Sequence, residues 1–202
     1  MDSHLRYAGL SPDAQRDALV GIVRCEPVLM RVLTILRDER LKDGLLVAGA
    51  IYNCVWNALT GRPGLGDVND IDVFYFDDSD LSYEAEDRVI RRFGTLFAGL
   101  PLPVQIRNQA RVHLWFPEKF GHPLDPLRSA DQMLGLYASK THAVACRLRA
   151  DDEIEVLAPF GLDDLFSFRI VPNRVLPGNA PTHAKKAARA KRVWPQITIE
   201  AW

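Results

Sequence analysis

Apolar residues recur at three- and four-residue intervals through residues 11–40: Leu19, Ile22 and Val23, then Val28, Leu29, Val32, Leu33, Ile35 and Leu36. That spacing places them on one face of a helix. Ser11 followed by Pro12 fits an N-cap with proline at the first helical position, and Pro27 divides the stretch into two helices. Residues 45–47 are an apolar run long enough only for a short strand. Gly49 follows, then a helix over 50–59 and a turn-rich segment, Gly61-Arg62-Pro63-Gly64-Leu65-Gly66, expected to be a flexible loop. Residues 69–76 are β-branched and aromatic and predict a strand. Residues 84–98 form an amphipathic helix with Val89, Ile90, Phe93, Leu96 and Phe97 on its apolar side. A strand over 104–106 precedes a hairpin made of 143–148 and 154–157 around Ala150-Asp151-Asp152. Residues 172–181 are expected to be loop and 183–192 a basic terminal helix. Helix and strand alternate early and strands pair by turns later, which predicts an α+β (mixed α/β) fold, a mixed sheet flanked by helices. Without repeats or low-complexity linkers, 1–202 is expected to be one domain. Its parts are a helical segment 1–40, a core 44–171 and a C-terminal extension 172–202.

Composition narrows the class little: 48% hydrophobic and 25% charged residues are ordinary for a globular chain. No apolar run approaches the ~18–20 residues that cross a bilayer. The start lacks a secretory pattern, so no membrane partner and a cytoplasmic location are expected. Three scattered cysteines form no disulfide framework or zinc spacing, and Cys25 and Cys54 are expected to be buried, inert thiols. The distribution of charge is more telling than the net charge of −1. Nine acidic residues and no Lys or Arg lie between Asp67 and Asp87, whereas base gathers in HAKKAARAKR near the end. An acidic focus suits a metal and basic residues elsewhere suit phosphate, although a short basic helix also reads as a solvated face.

Alternate side chains of a strand share a face, so Asp70 and Asp72 project together. Two adjacent carboxylates repel unless a cation lies between them. Mg²⁺ (or Mn²⁺) is the natural cation, because it takes one or two protein carboxylates together with phosphate and water. About twenty residues earlier, a strand runs into Gly49-Ala50 and a helix. Small residues at a helix N-terminus present free N–H groups to a phosphate. The same turn is equally well explained by packing.

Strand, glycine turn, helix and acidic pair in this order resemble the nucleotidyltransferase fold superfamily. The strings AGAIYNCVWNALTG, NDIDVFYFD, RNQARVHLWF, APFGLDDLF, VPN and WP resemble a bacterial family of nucleotidyltransferases, over residues 46–195. The resemblance implies a nucleotidyltransferase-like mixed sheet and Mg²⁺-dependent transfer of a nucleoside monophosphate from an NTP to an acceptor. A small-molecule acceptor is favoured, and a short RNA is the alternative. It implies Asp70 and Asp72 as catalytic metal ligands and Gly49, Ala50 and Asn53 at the nucleotide, with Arg107, Asn108 and Arg111 lining the base or acceptor side. Many superfamily members carry a third carboxylate where this chain has Gln105, and the family tends to have Arg in place of Tyr52. Both departures leave open a nucleotide-binding protein without catalysis, or a structural domain. If 111–115 is extended, Arg111, His113 and Trp115 share a face; the alternative for 107–115 is a structural network. Asp163 and Asp164 are expected to cap a short helix, with completion of the metal site as the alternative.

Overall fold

Prolines and their caps start the first two helices. In the computed structural model, which describes residues 3–202, Ser11 Oγ accepts from the Ala14 N–H at 3.3 Å and α1 runs over Pro12–Arg24. The Glu26 carboxylate accepts from Val28 N–H, and Pro27 opens α2 (Pro27–Asp38). The first two positions of the helical segment expected over 1–40 lie outside the described residues.

The chain then alternates: β1 (Leu45–Val47), α3 (Gly49–Thr60), β2 (Ile71–Tyr75), α4 (Tyr83–Leu96), β3 (Val104–Asn108) and α5 (Val112–Phe120). The expected hairpin follows as β4 (Ala145–Leu148) and β5 (Ile154–Leu157). These five strands make one mixed sheet in the order β3-β2-β1-β4-β5, with β2 and β3 parallel and the remaining pairs antiparallel. A short α6 (Asp163–Phe166) precedes β6 (Arg169–Ile170). Then α7 (Asn179–Val193) and β7 (Thr198–Ile199) follow, the latter parallel to β6. The α+β expectation holds.

Strand register decides which face does what. Leu46 pairs with Val73 and Cys146, and Val73 with Ile106. This row enters the large core beneath the helices, with Leu19, Leu29, Val55, Trp56 and Phe93. The neighbouring row joins Val47 to Asp72 and Ala145, and Asp72 to Gln105. Val47 and Ala145 pack in a smaller cluster with Ala130 and Leu134. At Asp72 that face is polar, so one sheet carries a core on one side and candidate chemistry on the other.

Several expectations are corrected. Residues 111–115 are not extended: Asn108 Oδ1 accepts from Ala110 N–H, caps a 3₁₀ turn over Gln109–Arg111, and α5 continues from it. The polar residues that interrupt the apolar pattern are thus the start of a helix. Helix α7 starts at Asn179 rather than 183, because Pro181 falls in its first turn, where no intrahelical donor is lost. The 61–66 loop is tethered: Asn57 Nδ2 donates to the carbonyls of Gly64 (3.1 Å) and Gly66 (2.8 Å). Cys54 is buried but Cys25, at the C-cap of α1, is exposed. Neither Asp163 nor Asp164 caps α6 through its side chain. Asp163 instead accepts from Gly9 N–H and Gln15 Nε2, while Asp164 pairs with Arg169.

Candidate active site

The turn from β1 into α3 has an unusual backbone. Ala48 has φ +51° and ψ −108°, a conformation that favours glycine, and its N–H is held by Val144 O at 2.8 Å. Gly49 itself needs no special dihedral. A Cβ there would meet nothing nearer than the Tyr52 hydroxyl at 4.0 Å, so protein packing leaves this space open. Among the described residues no side chain caps the N-terminus of α3, and the Ala48 carbonyl accepts from Ile51 and Tyr52.

That open space belongs to a cavity of about 110 Å³ lined by Gly49, Tyr52, Asn53, Asp70, Asp72 and, from the far wall, Lys186 and Arg189. Residue by residue, Gly49, Asn53, Asp70 and Asp72 come together there. Ala50 is fully buried in the core and does not line it. Arg107 lies on the exposed neighbouring strand, opposite Phe74, and its charge reaches Asp72 without lining the cavity. Asn108 and Arg111 are engaged elsewhere. Asn108 clamps Asp77, accepting from its N–H at 3.0 Å and donating to its carbonyl at 2.7 Å. Arg111 pairs with Glu86 and donates to Leu81 O at 2.9 Å. These contacts tie Asn108 and Arg111 into a structural network.

Electrostatics mark the acidic pair. Burial and the neighbouring Asp70 push the Asp72 carboxyl above its ordinary value, against the pull of Lys186 and Arg107. Lys186 is lowered by its withdrawal from water, against the attraction of Asp72 and Asp70. Gln105, paired with Asp72 across the strands, donates Nε2 to Asp70 Oδ2 at 2.5 Å. It stands on the acidic face as the sequence placed it, but neutralises nothing. Among the described residues, no three His, Cys, Asp or Glu side chains group to hold a metal. Two carboxylates on one face, with an uncharged amide beside them, still fit one Mg²⁺ that completes its shell with phosphate and water.

Lys186 and Arg189 were not singled out by the sequence, although both lie in HAKKAARAKR. Three residues apart, they share a helix face, and that face meets the acids. Arg189 also donates to Asp67 O at 2.8 Å, fastening the loop before β2 to α7. At the helix end Trp194 Nε1 donates to Asn57 Oδ1 at 3.1 Å.

Beneath the cavity, Tyr52 stacks on His142 with ring centroids 4.4 Å apart and planes 25° from parallel. Burial, opposed by Arg189 and aided by Asp72 and Asp70, pushes the Tyr52 phenol up to about 12, so it stays neutral. Burial, with Lys186 and His183 adding repulsion, pushes His142 down to about 3. Histidine charges near 6.5 when unfolded, so the unfolded chain takes up the proton first and stability is lost as pH falls from 6.5 towards 3. At pH 5 this one group is expected to cost about 2 kcal/mol. Denaturant titrations of wild type and His142→Phe at pH 7 and pH 5 check it: the variant lacks that part of the acid loss.

A family model described as nucleotidyltransferase matches residues 34–199, and the chain belongs to that family. A solved protein whose NMR structure is described as revealing a CCA-adding enzyme head domain is 24% identical, with a TM-score of 0.75 over 91% of this chain and 95% of that one. A CCA-adding enzyme in complex with CTP is 20% identical, with a TM-score of 0.55; the match covers 92% of this chain and 43% of that enzyme. These likenesses establish the nucleotidyltransferase fold. A search of curated proteins returns no match.

Proposed function

We propose that this chain binds an NTP as its Mg²⁺ complex and transfers the nucleoside monophosphate to an acceptor, releasing pyrophosphate. The observation that carries this reading is the placement of Asp70 and Asp72 against Lys186 and Arg189 across the cavity at the start of α3. Asp70 and Asp72 would hold the metal, which supplies charge neutralisation at the phosphates. Gly49 leaves room for a triphosphate to approach the backbone, and Lys186 and Arg189 face its charge. An acceptor oxygen attacks the α-phosphorus while the bond to the bridging oxygen breaks. The electron pair leaves with pyrophosphate and the acceptor proton passes to solvent. Catalysis is then mostly positioning and charge stabilisation. The CTP complex of the structural relative agrees with this class of ligand. A small-molecule acceptor is favoured over a short RNA, because the cavity is small and the chain carries no net positive charge.

A second reading, nucleotide binding without turnover, is favoured by Gln105 at the third-acid position. Thermal melting with each NTP and Mg²⁺ tests binding: at about 100 times the dissociation constant the fold gains about 2.7 kcal/mol, and EDTA removes the gain. No stabilisation by any NTP sinks both readings. Stabilisation without pyrophosphate release across an acceptor panel selects the second.

A further inference from the structure

Side chains of a helix lean towards its N-terminus, so a residue covers the turn that precedes it. Tyr52 stands three places after Gly49, the first residue of α3, and covers that turn. Its hydroxyl lies 4.0 Å from where a Gly49 Cβ would stand. The ring is fixed on one face by His142, stacked at 4.4 Å, and on another side by Trp56, with centroids 5.2 Å apart. Packing therefore accounts for the aromatic body of Tyr52 and leaves its oxygen unexplained.

A tyrosine withdrawn from water ordinarily finds a partner for its O–H. Among the described residues, no group bonds the Tyr52 hydroxyl. Nor is that oxygen sealed in: the buried side-chain atoms without a partner belong to Gln109, His113 and His142. The hydroxyl instead opens into the cavity that Tyr52 lines with Gly49, Asp70, Asp72, Lys186 and Arg189. Burial holds the phenol protonated, pushed up to about 12, and Arg189, Asp72 and Asp70 all act on it. It is an unspent donor at the edge of the space that Gly49 leaves clear.

We propose that the Tyr52 hydroxyl donates a hydrogen bond to a phosphate oxygen of the bound triphosphate and is a further binding residue of this site. The inference rests on the metal–triphosphate reading above and names the group that meets the phosphates beside Gly49. Lys186 and Arg189 supply positive charge from the far wall. The hydroxyl supplies direction, because the stack with His142 sets where its ring points.

Calorimetric titration of the full chain in Mg²⁺, with inorganic tripolyphosphate, ATP and CTP as probes, tests the assignment. Tyr52→Phe keeps the ring and loses only the oxygen. It is expected to bind all three probes at least about tenfold more weakly than wild type, by a similar factor for each, because a hydrogen bond to a charged group is lost. Its ligand-free melting temperature is expected to match that of wild type, since no protein group loses a partner. Unchanged affinity for tripolyphosphate overturns the proposal; if the nucleotides alone weaken, the hydroxyl meets the nucleoside instead. A variant that melts well below wild type, or does not fold, also overturns it, by showing the oxygen committed within the fold. Wild type failing to bind tripolyphosphate overturns the metal–triphosphate reading itself, and this proposal with it.

Discussion

Asp72→Asn is expected to weaken Mg²⁺-dependent NTP binding by at least about 100-fold while leaving the ligand-free fold no less stable than wild type. The first part follows from chemistry: an amide brings a carbonyl oxygen but no charge, and Mg²⁺ holds few protein ligands, so losing one carboxylate removes much of its grip. The second follows from Asp72's surroundings. Burial and Asp70 raise its carboxyl above the ordinary value of 3.8, so ionising it is less favourable in the apo fold than in the unfolded chain. For an acid raised in this way, the sign is fixed. The folded state holds the proton more tightly, so stability falls as pH climbs from 3.8 through the raised value. The variant lacks that fall. Thermal melts across pH without ligand, and titration with an NTP and Mg²⁺, measure both halves. Unchanged Mg²⁺-dependent binding in Asp72→Asn would remove Asp72 from the metal site.

Glu86→Ala is expected to destabilise the fold by about 3 kcal/mol, within the range for breaking a buried ion pair. The side chains of Arg111 and Glu86 are only 14% and 12% exposed, so truncating the acid strands a guanidinium away from water. Glu86 also accepts the Asn108 N–H at 2.8 Å, and that bond is lost too. The double variant Glu86→Leu/Arg111→Met removes both charges and is expected to recover most of the loss, as charge pairs replaced by apolar residues often do. Urea unfolding measures each step. With Arg111 occupied by Glu86 rather than by phosphate, the folded double variant should bind an NTP within about threefold of wild type, well short of the ~1.4 kcal/mol of a tenfold change.

These two predictions mark where the sequence was legible. The strand Ile71–Tyr75 announces itself, because alternation along one strand is local and fixes which side chains share a face. Asp70 and Asp72 are therefore placed together by sequence alone, as are the glycine turn and the proline-started helices. Gln105 is located by the superfamily resemblance alone, and the parallel pairing with β2 sets it across from Asp72. What could not be read is where long-range partners lie. Arg111 and Asn108 carry residue types suited to the base or acceptor side of a nucleotide site, but Glu86 and Asp77 bond them from elements 22 or more residues away. Lys186 and Arg189 had the opposite fate. Their spacing marks a helix face, yet nothing local says whether it meets water or the carboxylates. His142, in a stretch with no motif, gives no sequence signal at all; it is found only by noting which buried nitrogens lack partners.

The cations on α7 come from far along the chain relative to the acids they face. A ribosome delivers Asp70 and Asp72 more than a hundred residues ahead of Lys186. Through that interval the acidic face of the nascent sheet has no Lys186 or Arg189 to meet, and Asn57 has no Trp194 to accept from. The cavity is complete only once Lys186 and Arg189 have been made. A fragment that ends before residue 186 therefore carries the acidic face without the cations that line the same cavity.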